Sequence, residues 1–282
     1  AANGSVHAGA ANGAAKLAVS GNAGVNLDGQ LDANGAEAHI ELASAAGAIA
    51  LNANVNALAS QQAGIDVHAQ GGTLTQAAGT TIAAGATFGA AEVDLSSSGA
   101  LAINGKILAA ATADGTAGGA HTGAALIGIT TTGGAASSIS QSQASSIEAF
   151  GRAARLAINA GNANPGDDVT QAAAFKLDGT LRAIDDIGGS SLQIAGASGS
   201  VHDFTVTAGD STAKASITAV SGNLVLDGKG EVSGADATLD ASAAGKLDVV
   251  NALAVSGKAN AGIELAGDQG VTLGAALNAS AD

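Results

Sequence analysis

One five-residue unit recurs along the chain: apolar, any residue, apolar, small polar or Ala, then Gly. It reads Leu17-Ala18-Val19-Ser20-Gly21, Val25-Asn26-Leu27-Asp28-Gly29 and Leu101-Ala102-Ile103-Asn104-Gly105. It returns as Phe175-Lys176-Leu177-Asp178-Gly179, Leu192-Gln193-Ile194-Ala195-Gly196 and Leu224-Val225-Leu226-Asp227-Gly228. Leu253-Ala254-Val255-Ser256-Gly257 and Ile263-Glu264-Leu265-Ala266-Gly267 complete the set. Pairs without the Gly include Ile40/Leu42, Ile49/Leu51, Ile65/Val67, Val93/Leu95, Phe204/Val206 and Val271/Leu273. Alternation with period two puts both apolar side chains on one face of a short strand. Ser, Asn or Asp followed by Gly then turns the chain, because Gly accepts positive φ.

Strands of three residues cannot hold a sheet alone, but stacked on copies of themselves they share one core. Where the unit is clearest, successive starts lie 8 to 10 residues apart, as in 17 to 25 and 253 to 263. This predicts an all-β fold, a right-handed parallel β-helix (β-solenoid), with the hand set by the crossover rule for parallel strands. A coil of about 20 residues with two or three strands fits the spacing, giving about 14 coils and a rod about 65 Å long.

Composition agrees with a narrow, continuous interior. The 282 residues include 72 Ala and 42 Gly, with about 54 Val, Ile and Leu, four Phe and one Pro. Ala favours helix, but interior Gly costs a helix about 1 kcal/mol each and is spread over the whole chain. Cys, Met, Trp and Tyr are absent. No disulfide or Cys-built metal site is available, and the lack of Cys suits export. The absence of Met points to an internal or processed segment of a longer protein. No run approaches 18 apolar residues, and no signal peptide is recognisable, so membrane insertion is not expected. Acids outnumber bases 24 to 10, for a net charge of −14. That balance argues against nucleic acid and anionic lipid as partners, since both require a Lys/Arg surplus.

The repeat fades between Gly133 and Asp168. Here Ser145-Ser146-Ile147-Glu148 reads as a capping box. Ile147, Phe150, Ala154 and Ile158 follow at helical spacing, with Glu148 and Arg152 as an i,i+4 pair. Gly161 and Pro165 supply a stop. The expectation is one helical excursion near 146–160, packed on the rod or against another copy. All three Arg, Arg152, Arg155 and Arg182, fall in or near it. The organisation expected is solenoid coils over 1–132, an excursion with a short helix over 133–168, and further coils over 169–282, as one continuous solenoid.

Motifs that carry chemistry are scarce. The five His (His7, His39, His68, His121 and His202) are scattered, no HExxH occurs, and each reads as an exposed strand or turn residue. Gly105-Lys106, Gly228-Lys229, Gly245-Lys246 and Gly257-Lys258 are never followed by Ser or Thr, so a phosphate-loop reading fails. Asp167/Asp168 (with Asn162 and Asn164) and Asp185/Asp186 gather oxygens, but not at calcium-loop spacing; they read as solvated turn acids. Thr73/Thr75 and Thr205/Thr207 do not recur at a fixed period, as an ice-binding face would need. No catalytic, cofactor-binding or metal-ligating residue is assigned, no cofactor is expected, and the chain is read as a non-enzyme. The competing class is a carbohydrate-active β-helix enzyme, a lyase or hydrolase, with carboxylates paired across neighbouring coils.

Short [Leu/Val]-x-[Val/Ile/Leu]-[Ser/Asn/Asp]-Gly units in an Ala/Gly/Asn-rich, Cys-free, acidic chain resemble the filamentous-haemagglutinin-like exoproteins of Gram-negative bacteria, exported by two-partner secretion. The likeness covers about 1–110 and 170–282 and rests on repeat style. It implies an extracellular, cell-surface location and a role as stalk, adhesin or fibre. Exposed strand ends imply association with itself or with adjoining repeats, end to end or laterally. A host or cell-surface receptor is a further partner implied by the likeness.

Overall fold

The structure, a computed structural model, describes residues 4–161 and 172–281. They form an all-β parallel solenoid of about 11 turns with essentially no helix. Each turn has three faces. Face I carries three-residue strands such as Val25–Leu27, Ile49–Leu51, Leu74–Gln76, Leu224–Leu226 and Val271–Leu273. Face II includes Val6–Gly9, Thr81–Ala86 and Lys106–Ala111. Face III includes Ala14–Gly21, Ala91–Ser97, Ala124–Thr131 and Thr212–Ala219. Some long strands, among them Leu31–Ser44 and Gly230–Ala243, bend round the corner from face II into face III.

The repeat is longer than the sequence spacing suggested. Val25 stacks on Ile49 and Leu247 on Val271, 24 residues on in each case. About 11 turns at the strand spacing of about 4.8 Å make a rod about 50 Å long, shorter than the 65 Å expected. The reason lies in the alanines. Ala15, Ala38, Ala63, Ala91, Ala125 and Ala154 form one inward column on face III, resumed by Ala213 and Ala237. All are at most 5% exposed. Counting only large aliphatics overlooks this position, and with it part of every coil.

The helix expected at 146–160 is absent. Ser146–Phe150 and Ala153–Asn159 are strands on faces II and III, laid in register on Lys106–Ala111 and Ala124–Thr131. Ile147 and Ala149, then Ala154, Leu156 and Ile158, alternate inward with period two. The capping box is not used: Ser145 Oγ donates to the Ser142 carbonyl at 2.7 Å. Glu148 pairs with Lys106 at 2.6 Å and Arg182 at 4.0 Å, not with Arg152. Tertiary stacking overrides a local helical signal too short to be stable on its own. The described helical structure in this stretch is one 3-10 turn, Gly134–Ala136. Coils are longest here, with Lys106 stacking on Ser146, 40 residues on.

The repeated glycines are required for a different reason from the one anticipated. None of the eight motif glycines has positive φ; that conformation belongs to Gly24, Gly79, Gly115, Gly134, Gly161 and Gly270. Instead, a Cβ on Gly29 would lie 1.8 Å from the Gly4 carbonyl oxygen, and one on Gly228 would lie 2.0 Å from that of His202. Coils stacked at strand spacing leave no room for a side chain where a corner carbonyl points at the residue above.

Two glutamines fasten corners from inside. Gln76 Nε2 donates to Thr80 O at 3.2 Å and to Lys106 O, one coil on, at 3.0 Å. Gln141 makes the matching pair with Ser145 O and Thr180 O. Leu156, fully buried, separates the strand and helix readings because it lies off the helical stripe. Leu156→Ala should lower unfolding free energy by about 2–5 kcal/mol, measured by denaturant titration. An exposed helical Leu would change it little.

Candidate functional site

The first and last described coils present interior side chains to solvent. Val271, Leu273 and Leu277 are 40%, 52% and 37% exposed, and Val6 at the other end is 52% exposed. Leu17, Val19 and Val25 at one end, and Ile263 and Leu265 at the other, are only partly covered. These residues belong to the same inward columns that are dry in the middle of the rod: Val25 continues into Ile49, and Leu247 into Val271. The backbone edges of Val271–Leu273 and Leu277–Ala281 also have no strand beyond them among the described residues. Among the described residues, the terminal coils therefore leave apolar side chains and strand edges uncovered.

The outer faces carry charge in a repeating diagonal. Four basic residues each pair with an acid two positions beyond their ladder partner on the next coil. Lys16 meets Glu41 at 3.1 Å, His39 meets Asp66 at 3.3 Å, Lys106 meets Glu148 at 2.6 Å and Lys214 meets Asp240 at 3.3 Å. The Lys16 hydrogen bond and charge hold the Glu41 carboxyl below its ordinary range. Glu41, Asp66 and Asp94 stack on three consecutive coils of face III, a carboxylate column no linear motif announces. Asp94 ends it, half-buried, and burial pushes its carboxyl above the ordinary range, with Asp66 adding to the rise against the pull of His68.

At mid-rod, the corner between faces II and III holds a cluster of titratable groups around a buried His and Asp. His121, on the 112–123 connection, bridges to Thr112, and its side chain is 5% exposed. Its Nδ1 accepts the Asp186 backbone N–H at 3.1 Å, which places the ring proton on Nε2. Asp185 Oδ1 lies 3.8 Å and Asp186 Oδ2 3.5 Å from that nitrogen. The Arg152 Nε–H donates to the His121 carbonyl at 3.2 Å, so residues far apart in sequence are tied at one corner. Asp185 points into the rod on a column that continues into Ala208 and is fully buried. Its Oδ1 accepts the Ile187 N–H at 2.8 Å, and its Oδ2 has no hydrogen-bond partner among the described residues. Among the described residues no hydroxyl hydrogen-bonds His121, so the cluster lacks the nucleophile–base contact of an acyl-transfer site.

Two sequence readings change here: His121 is buried rather than exposed, and Asp185 is not a solvated turn acid. The signal was available in the Ile184-Asp185 alternation, which continues the inward pattern of Leu181 and Ala183. His7, His39, His68 and His202 do lie at the surface, His68 Nδ1 at 2.7 Å from Ser96 Oγ and His202 Nδ1 at 3.2 Å from Asp227. The Gly-Lys lysines are all engaged with acids: Lys106 with Glu148, Lys229 with Glu231, Lys246 with Asp248 and Lys258 with Asp210. Thr75 stacks between Ala50 and Ala102, and Thr205 between Arg182 and Glu231, so no threonine column forms there. Asn162, Asn164, Pro165, Asp167 and Asp168 lie outside the described residues. No described helix is long and apolar enough to cross a membrane.

No protein-family model, curated protein or solved structure matches this chain.

Asp94 gives a pH test of the carboxylate column. A carboxyl raised in the folded state opposes folding above its folded pKa, and the penalty disappears as pH falls below the unfolded value of 3.8. Asp94→Asn should therefore raise the unfolding midpoint at about pH 7 and leave it unchanged at about pH 3.

Proposed function

We propose that this chain is a non-catalytic structural element of an extracellular surface fibre or adhesin, a segment or subunit in which coil follows coil end to end. The observation that carries this reading is a parallel ladder of about 11 turns around continuous apolar columns. A further coil of the same kind would cover Val271, Leu273 and Leu277, complete their columns and pair their strand edges. Function would then be geometric: stiffness along the rod, reach from the cell surface, and outer faces free to carry contacts with a host or cell-surface receptor. The filamentous-haemagglutinin-like repeat style and the Cys-free acidic composition support the same assignment.

Electron microscopy of the purified chain at two concentrations tests it. Filaments that lengthen with concentration and show an axial repeat of about 4.8 Å are expected. Leu273→Lys should shorten or abolish them while circular dichroism stays unchanged, because the substitution places a charge on the stacking face. Isolated rods about 50 Å long at both concentrations would overturn end-to-end association of this chain.

A further inference from the structure

Among the lysines and arginines on the strands of face III, the diagonal pairing with acids fails at Arg155. On face III, Arg155 stacks on Ser191, so its diagonal partner position is Gln193, a neutral residue. Lys16 and Lys214 on the same face each find their acid there, as Glu41 and Asp240. Arg155 is exposed and makes no ion pair among the described residues. The acid column also lapses around it. Asp94 is followed coil by coil by Gly128, Ala157, Gln193 and Ser216 before Asp240 resumes it. In a chain of net charge −14, this face has a four-coil window without an acid in that column, and a free guanidinium beside it.

The window is also concave. Gly128, Ala157 and Ala195 are small, and with Arg155, Thr130, Asn159 and Gln193 they line a hollow of about 170 Å³. That is below the roughly 300–1,000 Å³ of drug-sized sites and suits one small ring. Guanidinium pairs bidentately with a carboxylate, and amide and hydroxyl side chains suit the hydroxyl groups of a sugar. No aromatic or large apolar pocket is present for a peptide side chain. The acids on either side, Asp94 and Asp240, repel a polyanion.

We propose that the Arg155 hollow binds a single carboxylate carried on a hydroxylated ring, a hexuronic acid residue within an otherwise neutral glycan. Arg155 takes the carboxylate that Gln193 fails to supply, and Thr130 and Gln193 hydrogen-bond ring hydroxyls. This site lies on the flank of the rod and does not depend on how its ends associate.

The test is an NMR titration of the full chain with D-galacturonate, its methyl ester and N-acetylglutamate. Galacturonate should shift the Arg155, Thr130 and Gln193 resonances with a millimolar Kd, and the ester should not. Arg155→Gln should abolish the response. Arg155→Lys should weaken it about tenfold, because the planar fork is lost. Gln193→Glu should abolish it too, by restoring the diagonal pair, while the unfolding midpoint is unchanged or higher. The proposal is overturned by no response up to about 50 mM, a range that reaches weak monosaccharide binding. Equal binding of the ester, or a response that survives Arg155→Gln, also overturns it. Tighter binding of N-acetylglutamate than of galacturonate overturns the sugar assignment.

Discussion

Hydrogen bonds between coils, about 4.8 Å apart, set the terms for everything else in this rod. Strands of three to eight residues have no stability of their own, so each coil is held by the coil before and the coil after. That spacing dictates which residue fits at each position. Inside, most levels of a column carry Ala, Val, Ile or Leu, and Gln76 and Gln141 enter where they fasten corners. At corners it forbids a Cβ wherever a carbonyl from the coil below points upward, which is why Gly29 and Gly228 cannot be replaced without moving backbone. Polar side chains satisfy what the corners leave open: Asn54 accepts the Thr81 N–H at 2.9 Å, and Asn223 accepts that of Lys246 at 2.8 Å.

The fold class was legible because large aliphatics at i and i+2, closed by Gly, have one economical use. Leu224 and Leu226, or Ile49 and Leu51, are fully buried where alternation places them. What was not legible was the part of each coil written in small residues. The column from Ala15 to Ala154 carries no hydrophobic contrast against a background of 72 Ala, so the coil was underestimated and the turns overcounted. The false helix has the same origin. Ile147, Phe150, Ala154 and Ile158 satisfy a helical period only if Ala149 and Leu156 are ignored, and in the structure both face inward. Phe150 itself sits on the outer side of its strand, 5% exposed, with the Arg182 guanidinium 5.7 Å from its ring.

Side-chain chemistry was less legible than fold, because the relevant neighbours are one or two coils away. Glu41, Asp66 and Asp94 are 25 or more residues apart in sequence yet lie in one column. His121 and Asp185 are 64 positions apart and share a corner. No spacing rule inside a linear motif predicts either, since coil length varies from 23 residues to 40 in the middle. Once the register is known, the rules become simple, and the diagonal from Lys16 to Glu41 repeats from Lys214 to Asp240.

A rod with such rules makes its departures informative. Exposed ion pairs of this kind contribute little each, up to about 1 kcal/mol, so their value is less in stability than in keeping opposite charges matched along each face. Where the match is kept, the face is electrically quiet apart from its acid excess. Where it lapses, as at Arg155 and Gln193, a cation is left available on a chain that has only ten Lys and Arg in all. Asp185 is the opposite departure: an acid turned inward where Ala208 stands one coil on, with one oxygen desolvated and without a hydrogen-bond partner among the described residues. Its remaining contacts, the Ile187 N–H and the nearby His121 ring, lie where the enlarged 112–123 connection meets the regular coils. Both departures fall in the middle third of the rod, where coils are longest and the three arginines gather, while the flanking coils repeat with little variation. The division follows from stacking itself: a coil lengthened by an insert, as between Lys106 and Ser146, brings to its corner side chains for which the regular register has no column.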